Sequence, residues 1–267
     1  MPPSWGRTQR DPCWRDVRHI FWPRSNRRVE PMRVLLCRPH RDSEATARLL
    51  ADAGHTSRIA PVIEIVPLAL DETSVGTVDA LVLTSAHAAQ VLPSDVVARW
   101  AGHPVYAVGQ ATGTAATRAG FHDVRIGGGD AASLVSLLQL TLPAPRRLVY
   151  LAGHVRKPML EATLKPERYT VGVVEVYDAR ETGGWDAHVV ADLGSGSING
   201  VMHFSRRSAV LALDYATRAG VGDAFRQLPH FCISRDVAAV LSETGVDTIT
   251  TAALPTEDAL LRLIPAA

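Results

Sequence analysis

The 267-residue chain is predicted to be an α/β protein with two parallel-sheet lobes, the first inserted into the second. Three observations predict this. Short β-branched runs alternate with Ala/Leu-rich helical stretches, the alternation recurs at a near-constant offset, and two solitary extended runs bracket the first repeat.

In chain order, Arg33–Cys37 (RVLLC) reads as a buried strand. Ser43–Ala53 reads as a helix with Ala45, Leu49 and Leu50 at helical spacing and Gly54 closing it. Ile59–Pro67 (IAPVIEIVP) is extended, and its prolines keep it from the middle of a sheet. Ala80–Thr84, a helix from Ala86, Val105–Val108, a helix through Thr112–Ala119, Asp123–Ile126 and a helix over Ser133–Leu138 follow. Leu148–Leu151 then begins the series again.

The repeat is weak but ordered. DALVLTSAHAAQVL has its counterpart in NGVMHFSRRSAVLAL, which sets Ser85 against Ser205. PVYAVGQATGTAATRAGFHDVRI matches HFCISRDVAAVLSETGVDTIT, setting Gly109 against Ser234 and Gly120 against Gly245, and ASLVSLL mirrors DALLRLI. The extended piece at 61–67 is echoed by Gly172–Tyr177 (GVVEVY). The predicted organisation is an N-terminal extension over 1–31, an outer lobe of 32–62 with 177–267, an inserted lobe over 68–172, and linker strands at 63–67 and 173–176.

A formal net charge of +1 argues against a general nucleic-acid binder. No apolar run reaches the ~18 residues of a membrane span. Residues 1–31 carry seven Arg against Asp11, Asp16 and Glu30, without a hydrophobic period or a signal-peptide core, and read as a disordered extension. Three cysteines, Cys13, Cys37 and Cys232, form no CxxC or Cys/His cluster, and ten scattered His show no i, i+4 pairing. The expectation is a cytoplasmic protein without a disulfide scaffold or metal site.

In open parallel sheets, ligands bind beyond the carboxyl ends of the strands, where helix N-termini present free N–H groups. Small polar residues cluster there: Thr84 and Ser85 after ALVL, Gly109, Gln110 and Thr112 after VYAV, Gly153 and His154 after LVYLA, Ser205 after VMHF, and Ser234 after FCI. Helix capping accounts for any one of them equally well. Their recurrence on both lobes favours binding. Arg38, Arg156, Lys157, Arg206 and Arg207 follow the same strand ends, a distribution suited to a polyanion held by carboxylate contacts across an expected inter-lobe cleft, although each alone reads equally as a solvated surface cation. Tyr177, closing the second extended run, is a candidate proton donor or a strand-capping core residue. No GxSxG, HExxH, Walker loop or post-strand GxGxxG occurs, and Gly127–Gly129 reads as a loop.

Together, RVLLCRP, APVIEI, DALVLTSAHA, VYAVGQAT, LAG with RKPML, VEVYDAR, HFSRRSA and PTEDALLRLI resemble the uroporphyrinogen-III synthase family, in order over residues 33–264. The resemblance implies two flavodoxin-like lobes joined by a two-stranded linker. It further implies a monomeric lyase, without metal or organic cofactor, that cyclises hydroxymethylbilane with inversion of ring D and loss of water. It also implies a transient hand-over of that substrate from hydroxymethylbilane synthase.

Residue by residue, Thr84 and Ser85 match the family's Thr-Ser, Thr112 the Thr of its VGxxT segment, Ser205 its second-lobe Ser, Tyr177 its cleft tyrosine, and Arg156 and Lys157 its basic pair. Tyr177 is thereby the implied catalytic residue. With the residues placed at strand ends by position alone, the expected substrate-binding set is Arg38, Thr84, Ser85, Gly109, Thr112, Gly153, Arg156, Lys157, Ser205, Arg206 and Ser234. Ser234–Val237 departs from the family's Gly-x-Thr-Thr-like segment, which puts that loop's contacts in question. The competing reading is a non-catalytic two-lobed ligand-binding or sensory module, because a fold does not fix a function.

Overall fold

The computed structural model describes residues 30–71, 76–156, 159–264 and 267. The predicted extension over 1–31 therefore lies outside the described residues except for Glu30 and Pro31.

The elements run β1 (Arg33–Leu36), α1 (His40–Asp52), β2 (Thr56–Ile59), β3 (Ile63–Pro67), β4 (Ala80–Leu83), α2 (Ala86–Val91), α3 (Ser94–Trp100) and β5 (Val105–Ala107). They continue with α4 (Gln110–Ala119), β6 (Val124–Ile126), α5 (Ala131–Thr141), β7 (Arg146–Gly153), α6 (Met159–Leu164) and β8 (Tyr169–Glu181). The chain closes with α7 (Ala187–Gly194), β9 (Gly200–His203), α8 (Arg206–Arg218), α9 (Gly222–Arg226), β10 (His230–Cys232), α10 (Arg235–Ser242), β11 (Ile249–Thr251) and α11 (Glu257–Leu261).

Two compact units result. Unit 1 comprises the described residues of Met1–Pro61 with Gly184–Ala267, and unit 2 is Val62–Gly183, so unit 2 is inserted into unit 1. Unit 1 holds an all-parallel sheet of order β11-β10-β9-β1-β2, the flavodoxin-like arrangement. Unit 2 holds a sheet of order β3-β8-β7-β4-β5-β6, parallel except for the edge strand β3. The prolines around β3 are tolerated at that edge because one flank of the strand needs no donors.

In unit 2 the buried strands send alternate residues to opposite faces, as the two-residue period of a strand requires. Leu81, Leu83, Val105, Val149, Leu151, Val174 and Val176 pack with residues of α2, α3 and α4. Ala80, Val82, Tyr106, Leu148, Tyr150 and Ala152 pack with residues of α5 and α6. Unit 1 follows the same plan, with Val34, Leu36, Met202 and Phe231 packed against α1 and α11.

The two sheets are the same framework cut at different places. Spatially, β2-β1-β9-β10-β11 corresponds to β8-β7-β4-β5-β6, with α1 matching α6 as the crossover between the paired strands. Unit 1 begins at β1, whereas unit 2 begins at β4 and supplies the β1 and β2 equivalents last, a circular permutation. Loop hydrogen bonds repeat in register. The Asn199 N–H donates to the Arg33 carbonyl (2.9 Å) while the Arg33 N–H donates to Asn199 Oδ1 (2.8 Å). In unit 2 the Asp79 N–H donates to the Arg147 carbonyl (2.8 Å) and the Arg147 N–H to Asp79 Oδ2 (2.7 Å). Val201 N–H to Pro229 O and Leu81 N–H to Pro104 O are another such pair. Gly120 closes α4 at positive φ (117°), and Gly245, paired with it by the repeat, lies three residues past the end of α10 at φ 81°; a Cβ would be strained at either position.

The linkers differ from expectation. The ladder partner of Ile63–Pro67 is Tyr177–Glu181, antiparallel, rather than 173–176. Residues 173–175 instead pair in parallel with β7, and Val176 is passed over at the register shift. The physical reason is that β8 is one 13-residue strand, rich in β-branched residues, whose first part completes the sheet beside β7 before a register shift at Ala152/Gly153. Residues 177–183, assigned above to the outer lobe, consequently cluster with unit 2. The expected single extended run from Ile59 divides into the end of β2 and all of β3.

Candidate functional site

In each unit the strand order reverses between two neighbouring strands, and the carboxyl ends there form the crevice in which open α/β sheets bind ligands. In unit 2 these strands are β4 and β7. Thr84 and Ser85 continue β4, Gly153 ends β7, and Tyr177 lies on β8 at the register position of Gly153. A Cβ at Gly153 would fall 2.7 Å from Tyr177 Cζ and 2.9 Å from its hydroxyl, so glycine is what lets the phenol lie across the end of β7. The other side of the Tyr177 ring meets His87 of α2 edge-on, with centroids 5.8 Å apart. Ser85 caps α2 by accepting the His87 N–H (3.2 Å).

One residue at this edge was absent from the sequence-based set. Tyr150 is 3% exposed, and its hydroxyl lies 2.6 Å from Thr84 Oγ1. Burial pushes its phenol above the usual range.

Gly109 opens α4 without any side-chain cap, and a Cβ there would stand 3.1 Å from Gly129 Cα in the 127–129 loop. The α4 N-terminus therefore keeps its backbone donors uncapped by side chains, and Thr112 is buried in its first turn. The Gly127–Gly129 segment is a loop, as predicted, and leads to the Asp130 capping box of α5.

The cations are more tightly engaged than their strand-end positions suggest. Arg156 pairs with Glu161 (3.1 Å) and Glu175 (2.8 Å), and His154 contacts Glu175 at 2.7 Å. The Glu175 bond raises the His154 pKa, and His154 followed by Arg156 lowers that of Glu175. These three residues, with Leu68, Ala69, Asp71, Val173 and Val174, line a cavity of about 590 Å³. Lys157 lies outside the described residues.

In unit 1, Ser205 and Ser234 cap α8 and α10 through Ser208 N–H (3.1 Å) and Val237 N–H (3.4 Å). Arg206 is exposed and pairs with Asp236 (3.1 Å). Arg38 pairs with Glu257 (2.9 Å) and Asp42 (3.6 Å) and stacks over Phe204 at 4.0 Å, which ties α11 and α1 to the strand ends.

The sequence-predicted residues among those described thus fall at the carboxyl edges of the two sheets. Unit 2 brings Thr84, Ser85, Gly153 and Tyr177 together, with Gly109 and Thr112 at the next strand end. No helix among the described residues is long and apolar enough to cross a membrane, and no group of three or more His, Cys, Asp or Glu among them is placed to hold a metal.

The family model described as Uroporphyrinogen-III synthase HemD matches residues 44–262. The fold is similar to the uroporphyrinogen-III synthetase structure from Helicobacter pylori (18% identity, 87% of this chain and 97% of that one, TM-score 0.57). It is also similar to a mutant uroporphyrinogen III synthase from the extremely thermophilic bacterium Thermus thermophilus (20% identity, 87% and 96%, TM-score 0.51). No curated protein matches the chain. The family match runs through both units and includes the strand ends just described except that of β1 with Arg38, and the chain belongs to the uroporphyrinogen-III synthase family, cyclising lyases of tetrapyrrole biosynthesis.

Proposed function

We propose that the carboxyl edge of the unit 2 sheet is where this chain cyclises hydroxymethylbilane, with Tyr177 as the catalytic proton donor. The observation that carries the reading is the seating of the Tyr177 phenol across Gly153, next to Thr84 and Ser85 at the strand-order reversal. A phenol held there can give its proton to the departing hydroxyl of the bilane, which leaves as water. The resulting azafulvenium is attacked by the substituted carbon of ring D. The spiro intermediate reopens and recloses with that ring inverted.

Spontaneous closure gives the unrotated isomer, so the protein's main task is to hold the chain in the rotating geometry. Eight carboxylates need many donors. The Thr84 and Ser85 hydroxyls, the backbone N–H groups opening α4 at Gly109, and Thr112 would supply them in unit 2. Arg156 and Lys157 would add charge. For binding, the proposal extends to the matching strand ends of unit 1, at Arg38, Ser205, Arg206 and Ser234. It includes a monomeric cytoplasmic enzyme that works without a cofactor and takes its short-lived substrate directly from hydroxymethylbilane synthase. The free, buried thiols of Cys37 and Cys232 suit a reducing compartment.

The test is Tyr177→Phe. Turnover should fall by about 10²-fold, with thermal stability changed by no more than about 1–2 kcal/mol, the range of one hydrogen bond. Unchanged turnover would reduce Tyr177 to packing.

A further inference from the structure

We infer that Tyr150 is a positioning residue for the family's reaction: its buried hydroxyl holds that of Thr84 so that the threonine proton is aimed at a substrate carboxylate. The inference rests on the assignment of Thr84 to the substrate surface.

Three observations carry it. The first is geometric. Two hydroxyls 2.6 Å apart share one hydrogen bond, so one of their two protons remains to be donated elsewhere. Tyr150 is 3% exposed, whereas Thr84 is only partly buried. The buried phenol donates its proton to Thr84 Oγ1, and the threonine keeps its own for the open side. Without Tyr150, the threonine rotor would be free to turn its proton away.

The second observation is internal to the molecule, because the permuted repeat supplies a control. The registers Tyr150↔Val82 and Leu36↔Met202, with Ser85 matched to Ser205, place Tyr150 opposite Leu36 and Thr84 opposite Phe204. In unit 1 these positions are a fully buried leucine and a phenylalanine packed on the core. The framework therefore stands without a polar pair at this point. Unit 2 nevertheless places a tyrosine in the buried cluster that holds Val82, Leu148 and Leu160, and a hydroxyl withdrawn from water costs free energy unless it is bonded.

Third, the pair sits at the strand-order reversal and not elsewhere along β7. One step beyond Thr84, Ser85 already uses its oxygen to cap α2. That bond uses the Ser85 oxygen as acceptor, so Ser85 keeps its proton and stands beside Thr84 as a second donor at the end of β4.

The experiment measures steady-state kinetics on freshly generated hydroxymethylbilane for Tyr150→Phe, Thr84→Val and the double variant, with thermal melts alongside. Tyr150→Phe should raise KM roughly five- to tenfold and change kcat less than twofold. Thr84→Val should raise KM at least as much, and the double variant should match Thr84→Val alone, because Tyr150 acts only through Thr84. Thr84→Ser, which keeps the hydroxyl, should stay sensitive to Tyr150→Phe. If Phe packs poorly, Tyr150→Leu, carrying the unit 1 residue, gives the same comparison. A lowered melting temperature with unchanged KM, or additive effects in the double variant, would overturn the inference. An unchanged KM in Thr84→Val would instead remove Thr84 from the substrate surface, and so count against the site assignment itself.

Discussion

Unit 1 and unit 2 share strand order, crossover helix and loop hydrogen bonds, yet each breaks the common pattern at different buried positions. Unit 2 places the Thr84–Tyr150 hydroxyl pair where unit 1 has Phe204 and Leu36. Unit 1 places His203 and His230 where unit 2 has Leu83 and Val105. His230 bonds the Phe225 carbonyl through Nε2 (2.9 Å), and His203 Nε2 lies 2.9 Å from His230 Nδ1, leaving His203 Nδ1 buried without a partner. The helix starts differ as well, since Ser234 caps α10 whereas Gly109 leaves α4 without a side-chain cap. A residue shared by both units serves the framework. A polar residue present in one unit only needs a separate reason, and in unit 2 the Thr84–Tyr150 pair stands at the strand-order reversal.

The largest expected effect breaks the symmetry through unit 1. Burial lowers the pKa of both histidines from 6.5, that of His203 the more strongly. A depressed basic pKa means that the unfolded chain binds more protons, so stability is full above about pH 6.5 and is lost as pH falls toward the folded values. Each histidine held neutral costs about 1.4 kcal/mol per pH unit in that window. Melts at pH 7.5 and 5.5 should show a steep loss, which His203→Leu with His230→Val, the unit 2 residues, should flatten. An equal slope in the variant would contradict the assignment.

Next comes Gly153→Ala. Its methyl group must displace the Tyr177 ring, so kcat should fall about tenfold or more with KM nearly unchanged, following the loss of proton-donor geometry. A wild-type kcat would mean that the ring position is irrelevant to turnover.

Smaller is Arg156→Ala, predicted to raise KM a few-fold by leaving Glu161 and Glu175 as uncompensated negative charge facing a polycarboxylate. Glu175→Gln should lower KM. The opposite signs would show that the ion-pair cluster does not meet the substrate. The smallest effect is expected from Asp79→Asn. Asn199 makes the same bond in unit 1, so stability should shift by less than about 0.5 kcal/mol.

Much of this comparison was legible in the sequence. Alternating β-branched and Ala/Leu-rich runs gave the strands and helices, and the repeat paired Ser85 with Ser205 and Gly120 with Gly245 because capping and positive φ impose those residue types locally. The permutation was not legible, because β1 and β7 share only short apolar runs after an arginine and stand at opposite ends of their units' chain order. The Thr84–Tyr150 pair and the Arg38–Glu257 pair join residues far apart in the chain, and no local signal predicts which side chains the sheet brings together. Tyr150 itself looked like one more apolar strand residue until its counterpart, Leu36, showed that the fold did not require a hydroxyl.

On the proposed reading, this chain directs ring closure by holding the bilane in the rotating geometry. Freshly generated hydroxymethylbilane, incubated with the protein and no added metal or cofactor, then oxidised and resolved into porphyrin isomers, tests it most directly. Type III should predominate with the protein present, whereas the protein-free sample should give type I. Type I in equal excess in both samples would contradict it.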